Sequence, residues 1–162
     1  MLAPGTPSIE VTSALGLSTQ IPILLLVDDN NINLKLLSTF AKKYKYSHIL
    51  AQNGQLALDA FEDAHRNLSS CNSAEAQDVR TVGTGMPNTI IMDINMPVMD
   101  GYEAVQRIRS YEKKHRLTAS KIIAVTALQS EAARAEAIGS GFNMFLSKPL
   151  KLKDLAKLIE VC

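Results

Sequence analysis

Apolar residues run along this chain in two rhythms. Some form short unbroken runs that stop at a polar residue: Ile23-Leu24-Leu25-Leu26-Val27 before Asp28, Ile90-Ile91-Met92 before Asp93, and Ile122-Ile123-Ala124-Val125 before Thr126. Others recur every third or fourth position. A short continuous run bounded by turn residues suits a strand buried on both faces, and the wider spacing suits a helix with one buried side. Strands are therefore predicted over 21–27, 47–51, 88–92, 121–125 and 142–146, and helices over 31–44, 55–65, 101–114, 130–138 and 152–161. The spacing turns Ile32, Leu36, Leu37, Phe40 and Tyr44 inward in the first helix, and Leu56, Leu58, Ala60 and Phe61 in the second. In the third, Tyr102, Val105 and Ile108 point inward, while Arg107, Arg109, Lys113 and Lys114 form a solvated basic face. Leu152, Leu155, Leu158 and Ile159 line the last helix. Strands and helices that alternate in this way dictate an α/β fold: a five-stranded parallel sheet, covered on both faces, with right-handed crossovers.

Two segments fall outside the rhythm. Residues 1–20 are rich in Pro, Gly, Ser and Thr and read as a flexible leader or linker before a domain at 21–162. Residues 67–87 are polar and small, a long insertion before the third strand.

Composition narrows the function. With 162 residues, 46% hydrophobic and 20% charged, the chain has the make-up of an ordinary globule. A net charge of +1 gives no electrostatic case for nucleic acid or an acidic membrane surface as partner. Cys71 and Cys162 make neither a disulfide framework nor a metal site and read as free thiols. No apolar run reaches the ~20 residues of a membrane span, and the first twenty residues carry no Lys or Arg. A cytoplasmic or nuclear location is expected, with no membrane contact by this domain.

The strand ends carry the chemistry. In an open parallel sheet the carboxyl ends of the strands share one rim, where ligands bind. The first strand ends in Asp28-Asp29, the third in Asp93, the fourth in Thr126 and the fifth in Lys148. Singly these are an N-cap neighbourhood, a turn residue, a strand hydroxyl and a surface lysine. The acidic doublet alone reads equally as a helix cap or as ligands for a hard divalent cation. Together they are a costly set to gather without function. A carboxylate such as Asp93 can attack phosphorus. Mg²⁺ on the neighbouring carboxylates would offset the incoming negative charge, with Lys148 and Thr126 facing the remaining phosphoryl oxygens.

Asp28-Asp29, the stretch Met92-Asp93-Ile94-Asn95-Met96-Pro97-Val98-Met99-Asp100-Gly101, Thr126-Ala127 and Lys148-Pro149, in this order, resemble the receiver domain of two-component response regulators. The wording around Val27 to Asn33 and Gly141 to Leu150 is similar to receivers of hybrid histidine kinases, notably fungal ones. The resemblance implies a flavodoxin-like (CheY-like) fold with sheet order 2-1-3-4-5. It implies that Asp93 accepts phosphate from phosphohistidine, and that Asp29, Asp93 and the backbone carbonyl of Asn95 ligate Mg²⁺, Asp28 contributing directly or through water. It further implies Lys148 as the phosphate-binding lysine, a cis peptide at Lys148-Pro149, and Thr126 with Phe145 as a switch pair. Such a domain is no enzyme beyond its own phosphorylation and dephosphorylation, though a parent hybrid kinase would be.

The expected partner is a histidine-containing phosphotransfer protein or a histidine kinase domain, docked on Asn30, Ile32, Asn33 and Leu34. Direct DNA binding would need an output domain or a basic recognition helix, and neither is visible, so a fragment of a larger kinase is expected. Two other functions fit less well. A phosphatase of the haloacid dehalogenase type needs a second Asp two residues after the nucleophile, where this chain has Asn95. A phosphorylation-silent scaffold receiver would have no use for the full chemical set.

Overall fold

A computed structural model describes residues 21–70, 85–127 and 130–160. Five strands, β1 (Ile23–Val27), β2 (Ser47–Ala51), β3 (Thr89–Asp93), β4 (Lys121–Thr126) and β5 (Met144–Ser147), alternate with five helices. The helices are α1 (Asn31–Lys43), α2 (Gly54–Ser70), α3 (Gly101–His115), α4 (Glu131–Ser140) and α5 (Leu152–Glu160). The strands pair in parallel in the order β2-β1-β3-β4-β5.

The pleat divides each central strand between two cores. Leu25, Val27, Ile90, Met92, Ile122 and Ala124 face one core with Phe61, Val105 and Ile108 from α2 and α3. Leu24, Leu26, Ile91, Ile123 and Val125 face the other, with Leu34, Leu37 and Phe40 of α1 and Leu155 and Ile159 of α5. Burial on both faces is why β1, β3 and β4 read as unbroken apolar runs. It also fixes the register that brings Val27, Met92 and Ala124 level across the sheet, so the strands end together.

Several boundaries and faces differ from the sequence reading. α2 continues to Ser70, so the expected polar insertion keeps only its later part, of which 71–84 lie outside the described residues. The expected leader at 1–20, Cys71 and Cys162 lie outside them as well. β5 starts at Met144; Phe142 precedes it, packed into the α2–α3 side. In α1, Ile32 is 78% exposed, and Leu36 and Tyr44 are also exposed, while Leu34, Ser38 and Ala41 are buried instead. Leu56 of α2 is exposed, and Ala57 takes the inward place. Arg109 does not belong to a solvated face: it hydrogen-bonds the carbonyls of Gly141 and Ser120 and pairs with Glu112.

Candidate functional site

Four of the five strand ends, all but that of β2 at Ala51, deliver a polar side chain to the same rim. Asp28 follows β1 directly and is buried, its carboxylate turned back over the start of α1. Asp29 is exposed. Asn30 caps α1, its side chain accepting the Ile32 N–H at 2.8 Å. Asp93 is the last residue of β3 and only 4% exposed.

After Asp93 the chain must turn at once into α3. Gly101 permits this, because its N–H bonds the Ile94 carbonyl at 2.8 Å and a Cβ there would lie 2.6 Å from the Asp93 carbonyl oxygen. Asp100 then caps α3, accepting the Glu103 N–H at 2.9 Å. Val98, at the crest of the loop, is 84% exposed and holds a φ of 74°, a strained setting for a β-branched residue.

Lys148 crosses from the end of β5. Its Nζ lies 2.9 Å from Asp93 Oδ2 and 3.4 Å from Asp28 Oδ2. The Lys148 N–H donates to the Thr126 carbonyl at 2.9 Å, which ties the ends of β4 and β5 together. The Lys148-Pro149 peptide is cis. Thr126 is buried at the end of β4, opposite Ser147. Phe145 faces Ala124 across the strand pair and packs on the α2–α3 core. Thr126 and Ala124 share a face of the pleat, so Thr126 and Phe145 lie on one side of the sheet.

The electrostatics follow from burial and proximity. Burial raises the Asp93 pKa above the usual carboxylate range of about 3.8, and the nearby Asp28 adds to the rise. The Lys148 ammonium opposes the shift without cancelling it. Burial works to lower the Lys148 pKa, but its contacts with Asp93 and Asp28 outweigh that and raise it. One ammonium among three carboxylates leaves the pocket short of positive charge.

The donor chemistry fits a hard cation. Carboxylate oxygens of Asp28, Asp29 and Asp93 lie within 4.8 Å of one another, and an all-oxygen set with room for water is what Mg²⁺ takes. The Asn95 backbone adjoins them, with its N–H 3.4 Å from Asp93 Oδ1.

Asp28, Asp29, Asp93, Thr126 and Lys148 thus converge on one rim. The expected docking face divides. Ile32 is exposed, Leu34 belongs to the core, and Asn33 turns to Asp28 with Nδ2 at 3.1 and 3.0 Å from its two oxygens. Sequence reasoning missed this use of Asn33. The signal was present: an amide three residues into a helix whose cap follows an acidic doublet.

A five-stranded 2-1-3-4-5 sheet with an acid-lined, lysine-bridged rim defines a class, and the chain matches it over nearly all the described residues. It belongs to the response regulator receiver domain family, which matches residues 24–160. Hybrid signal transduction histidine kinase M of Dictyostelium discoideum is 32% identical over 137 residues, 85% of this chain but 5% of that protein. The osmolarity two-component system protein SSK1 of Saccharomyces cerevisiae is 30% identical over 84% of this chain and 19% of its own length. The chain therefore spans a small part of these curated relatives.

Among solved structures, the Ssk1 receiver domain of S. cerevisiae, co-crystallised with the histidine phosphotransfer protein Ypd1, superposes with a TM-score of 0.69. It is 32% identical, with 85% of this chain and 86% of that one covered. The receiver domain of sensor histidine kinase PA1611 from Pseudomonas aeruginosa, with magnesium coordinated in its active site cleft, has a TM-score of 0.61 and 27% identity. There the match covers 86% of this chain and 94% of that one. Among the described residues no helix is long and apolar enough to cross a membrane.

Proposed function

We propose that this domain is the phosphoacceptor of a histidine-to-aspartate phosphorelay and that Asp93 is the residue phosphorylated. The observation that carries the reading is the Lys148 ammonium 2.9 Å from Asp93, with the carboxylates of Asp28 and Asp29 beside it. An Asp93 oxygen attacks the phosphorus of a phosphohistidine; the new O–P bond forms as the N–P bond breaks and the imidazole leaves. Lys148 faces one phosphoryl oxygen as a point charge and the Thr126 hydroxyl donates to another. Asp28, Asp29, Asp93 and the Asn95 carbonyl would hold Mg²⁺, which would supply positive charge to offset that of the transferred group. Positioning and charge account for most of such a transfer, so no separate general base is needed.

The partner is a histidine-containing phosphotransfer protein or a histidine kinase domain, in the cytoplasm or nucleus. The Ssk1–Ypd1 complex supports this, as does the exposed Ile32 at the start of α1. Phosphorylation would draw Thr126 toward the phosphoryl group and let Phe145 move into the space it leaves, a packing change biased by local charge.

The test is labelling with a small acyl-phosphate donor and Mg²⁺. An acid-stable, base-labile phosphate is expected on the unsubstituted domain, and none on Asp93→Asn. Full labelling of Asp93→Asn would overturn the assignment.

A further inference from the structure

Asn33 is the third residue of α1, where helices often carry a Glu or Gln that turns back to the N–H of the capping residue. In this chain Asp28 has taken that N–H: Asn30 donates to its Oδ1 at 2.8 Å. The first turn of α1 holds no acidic residue, so it adds no negative charge to the three carboxylates beside it. Asn33 instead offers a donor, its Nδ2 lying 3.1 Å from Asp28 Oδ1 and 3.0 Å from Oδ2. The amide can face only this way, since a carboxylate accepts and the Asn33 oxygen opposite it would repel.

We infer that Asn33 is a positioning residue for the phosphorylation site: it holds Asp28, and by doing so leaves Lys148 to Asp93. This rests on the phosphoacceptor reading above and adds a residue to it. Asp28 is 3% exposed, so its oxygens must be satisfied from within the protein. Four contacts do this: the Asn30 N–H, the two from Asn33, and Lys148 at 3.4 Å. Without Asn33, one carboxylate oxygen would depend on Lys148 alone. The ammonium would then be drawn toward Asp28 and away from Asp93, which it now approaches at 2.9 Å. Asp28 would also be free to turn away from Asp29 and Asp93, with which it would share a cation. A side chain that orients a ligand is worth roughly 10–100-fold in metal affinity.

The experiment measures Mg²⁺ affinity of the unphosphorylated domain by amide NMR titration, together with the labelling rate from an acyl phosphate. Three variants are compared: Asn33→Leu, Asn33→Ala and Asn33→Gln. The Leu and Ala variants should bind Mg²⁺ about 10-fold more weakly and label more slowly, and Gln, which keeps the donor, should recover much of both. A purely helix-capping or docking role would leave Mg²⁺ affinity untouched. If Asn33→Leu does not fold, the Ala and Gln pair carries the same comparison. Mg²⁺ affinity equal to that of the unsubstituted domain in Asn33→Leu and Asn33→Ala, with Asp93 still labelled, would overturn the inference alone. Absence of label from the unsubstituted domain would overturn the phosphoacceptor reading instead.

Discussion

Asp93 is placed where its charge is uncomfortable. Burial raises its pKa, and Lys148 offsets that only in part. The sign of the linkage follows. A carboxyl that holds its proton more tightly folded than unfolded favours folding at low pH, and that contribution fades as pH rises through the folded pKa. At neutral pH the ionised Asp93 therefore costs stability. Asp93→Asn should melt higher than the unsubstituted domain at neutral pH, and the gap should close as pH falls below the ordinary carboxylate range. Melting curves of the two proteins across that interval check it; a lower melting temperature for Asp93→Asn at neutral pH would contradict the sign. The same charge would hold a cation and make the Asp93 oxygen a nucleophile, so function and stability pull this residue in opposite directions. Asp93 and Asp28 were legible in the sequence because each ends an apolar run, and Lys148 because it follows one after a single serine. Asn33 was read as part of a helix and of its docking face, not as a partner of Asp28, because that role depends on which way α1 is rotated.

That rotation is the main thing periodicity left open. α1 begins Asn-Ile-Asn-Leu-Lys-Leu-Leu, with more apolar residues than one helical stripe can hold. Two stripes compete, and the side chains that reach the sheet decide between them. Leu34, Leu37 and Phe40 pack on Leu24 and Leu26, while Ile32 and Leu36 are left in solvent. The two faces should then separate stability from recognition. Leu37→Ala, which empties a site 2% exposed, should cost roughly 2–5 kcal/mol in denaturant unfolding. Ile32→Ala should change stability by less than about 0.5 kcal/mol and still slow phosphotransfer from a phosphohistidine protein, with labelling by a small acyl phosphate unchanged. Equal slowing with both donors would place Ile32 in the site rather than on the docking face.

Across the whole molecule the sheet has two edges with different work. The carboxyl edge holds like charges close together and leaves loops such as 94–100 strained at Val98. The amino edge does the opposite. There Arg109, reaching from the second half of α3, donates to the carbonyls of Gly141 and Ser120 and to Asn143 Oδ1, and pairs with Glu112 at 2.8 Å. Glu112 is 3% exposed and also accepts the Ser120 N–H. This knot gathers α3, the entry to β4 and the entry to β5. The sequence showed only one more cation on a basic helix, since nothing in local spacing says that the loops before β4 and β5 close over it. Arg109→Met would leave a buried carboxylate without its cation, a change that costs roughly 3 kcal/mol or more. The loss should appear in denaturant unfolding while Mg²⁺ affinity stays as it was, because mutations far apart with no shared partner act independently. A parallel fall in Mg²⁺ affinity in the folded variant would mean the two edges are coupled through the strands. In that case the packing that stabilises the domain would also set the geometry of its phosphorylation site.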